Sequence, residues 1–159
     1  MSDTNYKILS LTIDENNLLR WSPAIEQERK AAIYDIINDN YFKPLNLKVK
    51  EYNVNIRLVE WRLLLDIKNT KTNKLLQTSG VSITALRRII RDYQIVCDNY
   101  YEAIKTAPLK KIEAIDMGRR SIHDEGAQTF KELFEDQIEF DIETSRRFFT
   151  LICVLSLKI

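Results

Sequence analysis

The stretch EYNVNIRLVEWRLLLDIKNTKTNKLLQTSGVSI, residues 51–83, decides the fold class. Tyr52, Val54, Ile56 and Leu58 fall on every second position, and so do Leu63, Leu65 and Ile67. A period of two sends alternate side chains to opposite faces of an extended chain, one apolar and one polar. The Glu60–Trp61 junction is short enough for a hairpin turn, although the favoured Asn-Gly pair is missing. KNTKTNK (68–74) reads as a longer turn, and a third strand follows near Leu75–Val81.

On the N-terminal side, YKILSLTI (6–13) places Leu9, Leu11 and Ile13 in alternation with Ser10 and Thr12, which predicts a further strand. A helix follows. Ser22 is its expected N-cap and Pro23 suits its first position, where a missing N–H costs nothing. Ile25, Ala32, Ile33, Ile36 and Ile37 form its apolar stripe, and Asn38–Asn40 let the chain leave.

On the C-terminal side the period changes to that of a helix. Over 84–106, Leu86, Ile90, Tyr93, Cys97, Tyr100 and Ile104 share one face, opposite Arg87, Arg91, Gln94, Asp98, Glu102 and Lys105, and Thr84 is the expected N-cap. Pro108 opens a second helix running to about Glu135. Asp141 caps a third, apolar almost all round from Phe148 onward and therefore expected in the core. The expected fold is α+β: an antiparallel β-sheet of about four strands with one early helix, then three C-terminal helices packed on the sheet. Its 159 residues fit a single domain spanning 1–159.

The totals bound the function. The chain is 45% hydrophobic and 30% charged, with Lys+Arg 24 against Asp+Glu 23 and a net charge of +1. No global field steers it onto nucleic acid, so nucleic-acid binding is not expected from the total charge. No apolar run approaches the ~18 residues of a membrane span, and MSDTNYKILSLTIDENN lacks a signal-peptide core. Cys97 and Cys153 sit in apolar helical patterns and read as reduced, buried thiols. These features point to the cytoplasm.

IEAIDMGRRSIHDEGAQ (112–128) carries the chain's one His and two of its three Gly. On a helix, Ile112, Ile115, Ile122, Phe130 and Leu133 make a stripe that also takes in Arg119 and Gly126. Asp116 and Arg120 are an i,i+4 pair of opposite charge and read as a solvated ion pair. Arg119 is the informative residue, because a core-facing guanidinium must reach water along its stem or find a partner. One reading is structural, with Arg119 tied to a carboxylate; the other is an anion site in which Arg119 and Arg120 present forked donors. Gly126 is expected to let another element approach closely. Gly118 lies off the stripe, and two Gly raise the question of whether the helix runs unbroken through both.

His123 stands at the border of the stripe. It is either a structural histidine or an acid–base group that Asp116 or Glu125 orients. No second His exists and no metal-ligand spacing occurs, so neither metal nor cofactor is expected. There is also no phosphate-binding Gly-rich loop and no nucleophile elbow. RRIIR (87–91) is a separate feature. Arg87, Arg88 and Arg91 cluster near a helix N-terminus, where their charge opposes the dipole unless an acid or an anion compensates. A phosphate or RNA contact there is the weaker reading beside a surface paired with acids.

With these segments in view, the chain resembles a small bacterial family, Uncharacterised Protein Family 0262. The resemblance rests on ERKAAIYDIINDN (28–40), RLLLDI (62–67), SITALRRIIRDY (82–93) and YYEAIKTA (100–107). It is clearest in IEAIDMGRRSIHDEG (112–126) and TSRRFFTLICVL (144–155). The chain departs from the family at Ala85, where Pro is expected, and in its C-terminal SLKI, which lacks an aromatic ending. The resemblance implies a cytosolic single-domain protein and brings no reaction, cofactor or partner with it.

The residues therefore favour a non-enzymatic binding or protein-interaction module, with the protein partner and oligomeric state left open. The alternative is a protein, binder or enzyme, that handles a small anionic or phosphate ligand through Asp116, Arg119, Arg120, His123 and Glu125. The third reading is RNA binding through Arg87, Arg88 and Arg91.

Overall fold

Strands β3 (Glu51–Val59) and β4 (Arg62–Asn69) form the predicted hairpin around Glu60–Trp61 in a computed structural model that describes residues 5–14 and 23–156. Glu60 takes φ 57°, the left-handed conformation that tight hairpin turns favour, without the usual Asn or Gly. β5 (Leu75–Ser82) pairs antiparallel with β4. In the longer turn between them, the Asn69 side-chain oxygen accepts the N–H groups of Lys71 and Thr72. β1 (Lys7–Ile13) completes the sheet in the order β1-β3-β4-β5.

The sheet is α+β in context and mostly antiparallel, but β1 runs parallel to β3. The chain between them carries helix α1 (Pro23–Asn38), and parallel strands need a crossover of that kind. The apolar phase of β1 also differs from the sequence expectation. Ile8 and Leu11 are buried, and Leu9 is 40% exposed. The register skips Leu9 between Ile8 and Ser10, so an extra residue bulges outward and the alternation breaks there. Asn40 compensates, accepting the Ile8 N–H at 2.8 Å and donating to the Ile8 carbonyl at 3.1 Å. The expected N-cap Ser22 lies outside the described residues.

Three helices follow, as expected: α2 (Arg87–Thr106), α3 (Leu109–Leu133) and α4 (Ile142–Ser156). Thr84 is not the N-cap of α2. A 3-10 turn over Thr84–Leu86 leads into the helix, no side chain caps it, and the Thr84 N–H is itself directed at the Ser82 hydroxyl. Asp141 does cap α4, its carboxylate accepting the Thr144 N–H at 2.8 Å. A second sheet, β2 (Phe42–Pro44) with β6 (Ile138–Phe140), was not predicted. Alternation over three residues carries no readable period.

α4 is the central helix. Phe148, Phe149, Leu151, Ile152 and Leu155 are buried, and the helix packs against α1, α3 and α2. Phe130, Phe134, Phe140 and Phe148 form an aromatic cluster with ring centroids 5.1–5.7 Å apart. The expected face of α2 holds only in its first half. Ile89 and Ile90 are buried there, but Ile104 is 49% exposed. α2 packs mainly against α3 and only lightly against the central helix α4, so its distal stripe is not enclosed. Among the described residues, no helix is long and apolar enough to cross a membrane.

Candidate functional site

α3 winds unbroken from Leu109 to Leu133 through both glycines. Gly126 is buried against α4, and a Cβ there would strike the Phe149 ring, as the close-approach reading expects. Gly118 has open space around it. The backbone therefore holds Asp116, Arg119, Arg120, His123 and Glu125 at fixed helical intervals, and their side chains divide into separate groups.

Asp116 gathers both arginines. Its Oδ1 accepts from Arg119 Nε at 3.1 Å and Nη2 at 2.5 Å, and its Oδ2 accepts from Arg120 Nε at 2.9 Å and from Arg120 Nη2. The two guanidiniums hold the carboxyl below its ordinary range, against a smaller opposing effect of burial. Arg119 does not end in the core. Its side chain stays 32% exposed, and its guanidinium lies 4.9 Å from the Tyr100 ring centroid on α2. Arg120 is exposed.

His123 stands apart from that cluster. Its Nε2 lies 2.8 Å from Thr150 Oγ1 on α4, and the Thr150 hydroxyl donates to the Arg146 carbonyl at 3.2 Å. With that hydrogen committed, the hydroxyl accepts from an Nε2–H, which selects this tautomer of the neutral ring. Tyr93 and Phe149 flank the imidazole at 5.3 and 5.2 Å between centroids. Burial pushes its pKa down, with Asp124 opposing and Arg146 and Arg119 assisting. A cavity of about 110 Å³ beside it also touches Asp35, Glu143, Arg146 and Arg147. Glu125 is exposed on α3. Sequence could not place Thr150, Tyr93, Tyr100 or Arg146 at this site, because each comes from another helix.

The cysteines are buried or half-buried free thiols, and burial raises both pKa values. Among the described residues, no group of three or more His, Cys, Asp or Glu is placed to hold a metal ion.

Arg87, Arg88 and Arg91 line a larger, open cavity of about 570 Å³ with Trp61 and Gln94. The Arg87 guanidinium lies 5.3 Å from the Trp61 ring centroid. Gln94 ties this end of α2 to the core by donating to the Cys153 carbonyl at 3.4 Å. Trp61, which the sequence shows only as a turn residue, is the wall that its arginine pattern could not announce.

The likeness to known proteins spans the segments that build these sites. The model of the family described as Uncharacterised protein family (UPF0262) matches residues 5–158. The chain belongs to this family. A UPF0262 protein of Nitrobacter winogradskyi is 44% identical over 156 residues, covering 98% of this chain and 93% of the relative. One of Rhodopseudomonas palustris strain TIE-1 is 44% identical over 156 residues, covering 98% and 95%. One of Allorhizobium ampelinum is 42% identical over 155 residues, covering 98% of each chain. The bacterial family expected from the sequence is thus shown, over a span that includes both arginine clusters and His123. No solved structure matches the chain.

Proposed function

We propose that the protein is a non-enzymatic interaction module whose docking element is the distal half of the α2–α3 hairpin, and that its partner is a protein presenting an apolar helix. At 1.5 Å per residue, α2 and α3 are about 30 and 37 Å long. The core engages only the part of this rod near α4. The observation that carries the reading is the apolar surface beyond it. Leu109 and Met117 are 70% and 71% exposed, and Ile95, Tyr101 and Ile104 are exposed on the same two helices. Small residues Ala103 and Ala107 leave an open groove of about 460 Å³ between the helices, floored also by Val96 and Ile115. These exposed side chains lie outside the groove and add apolar surface to the same hairpin, and a groove between helices suits a helix laid into it. Exposed Glu102 and Lys105, with Lys110 and Lys111, supply charges of both signs at the rim.

The anion-handling alternative at Arg119, Arg120 and His123 has less support, because Asp116 already takes donors from both arginines and Thr150 occupies His123 Nε2. The chemistry of Asp116 as an orienting base is likewise committed to those arginines.

Photo-crosslinking groups placed at Ile104, Leu109 and Met117 in cells, with Thr72 on the sheet turn as control, test the proposal. The expected result is one discrete adduct from the hairpin positions, lost when Tyr101→Lys is added. An adduct containing a second copy of this chain identifies the partner as itself. Hairpin positions that give no more adduct than Thr72 overturn the reading.

A further inference from the structure

The cavity at the start of α2 carries an inference independent of the hairpin. Arg57, Arg119, Arg120, Arg146 and Arg147 each have a carboxylate within reach. Arg87, Arg88 and Arg91 have no carboxylate partner among the described residues, and Arg87 rests only on Trp61. Among the described residues no acid lines their cavity; its other walls are Trp61, Thr84, Ile90, Gln94 and Ser156. Three guanidiniums within little more than one helical turn repel one another, and the positive end of the α2 dipole adds to that repulsion. The sheet turn and the end of α4 fix their helix in place, so the protein maintains the charge concentration rather than dispersing it.

We propose that this cavity is a binding site for a diphosphate group, either as free pyrophosphate or carried on a nucleoside. Guanidinium forks match phosphate oxygens two at a time, and three of them complement the charge of two linked phosphates. A volume of about 570 Å³ lies in the range of small-ligand pockets. Trp61 gives the site one apolar wall against which an attached organic part can lie. RNA fits less well. A single-strand track needs a continuous basic groove with several stacking aromatics, and the described lining of this cavity offers one aromatic, Trp61.

Calorimetric titration of the full chain with pyrophosphate, ADP and sulfate tests the site, with Arg88→Met and Arg91→Met as variants and Lys131→Met as control. The expected result is saturable 1:1 binding of a diphosphate, weakened at least tenfold by either arginine substitution and unchanged by the control. Thermal melting of each variant, unshifted without ligand, separates lost binding from lost folding. ADP binding tighter than pyrophosphate assigns the nucleoside-linked source, and equal affinities assign the free diphosphate. The proposal is overturned if no diphosphate saturates, if sulfate binds as tightly, or if the arginine variants bind like the parent. It is also overturned if a single-stranded RNA binds and the diphosphates do not.

Discussion

Gly126 and Phe149 meet where α3 packs against α4, and the space between them does not admit a methyl group. Phe149 is fully buried and has little room to turn, with edge contacts to Tyr93 at 5.8 Å and His123 at 5.2 Å. Gly126→Ala therefore forces a shift in the core, and overpacking of this kind costs about 1–3 kcal/mol. The better helix propensity of Ala returns about 1 kcal/mol at most. Gly118→Ala meets open space and gains that propensity alone. Urea denaturation should show opposite signs for one substitution at two positions of one helix. Equal signs contradict the packing argument.

Asp66 predicts an acid-sensitive sheet. Arg57 donates to both its oxygens at 2.8 and 2.9 Å, Thr78 donates at 2.9 Å, and together with Asn55 they pull its pKa to about 2, against the opposing effect of burial. A depressed folded pKa means stability that is full above the ordinary value of 3.8 and lost as pH falls toward 2. Asp66→Asn should cost about 2 kcal/mol at neutral pH and flatten the stability curve below pH 4. Chemical denaturation across pH 2–7 measures both.

His123 gives a second window. Its folded pKa lies below the ordinary 6.5 because the ring is buried, so its contribution is full above pH 6.5 and falls on acidification through the folded pKa. Melting temperatures from pH 8 to pH 5 should decline in the parent and decline less in His123→Gln. A ring titration followed by NMR that sits at or above 6.5 removes the basis for this expectation.

Gln137 closes the free edge of the sheet. Its side-chain oxygen accepts the Gly80 N–H at 3.2 Å and its amide donates to the Gly80 carbonyl at 3.1 Å, taking the place of a neighbouring strand on β5. Gln137→Ala leaves both groups without their partner, at a cost of about 1–3 kcal/mol. Hydrogen exchange should show the Gly80 amide losing protection more than the amides of β3, which lies inside the sheet.

Cys153 is buried in α4 with its thiol pKa raised by desolvation, so little nucleophilic thiolate is present at neutral pH. Alkylation at Cys153 should follow the rate of unfolding and become fast only in denaturant, as mass spectrometry of the labelled peptide would show. Rapid native labelling would mean that α4 opens locally.

Much of the architecture was legible because local period and punctuation determine it. Alternation in 52–58 and 63–67 specified the hairpin, Asp141 marked the start of α4, and the apolar run after Phe148 marked the buried helix. Gly126 on an apolar stripe announced close packing without naming Phe149. The misses lie where a distant group decides. Asn40 holds the bulge that turns Leu9 outward, and Thr84, the expected N-cap, instead directs its own N–H at the Ser82 hydroxyl. The three-residue strands β2 and β6 exist only because each finds the other.

The candidate sites divide along the same line. Residue types and spacing alone fixed which charged groups lie along α3 and α2, since one helical repeat sets their angular positions. Whether a guanidinium is neutralised, stacked or left facing a cavity depends on what other elements bring against it. Asp116 lies on the same helix as Arg119 and Arg120, so sequence could read that pairing; Tyr100, Thr150 and Trp61 arrive from other elements, and only the tertiary structure placed them. Short-range geometry is written in the order of residues, whereas burial and charge compensation depend on neighbours far along the chain.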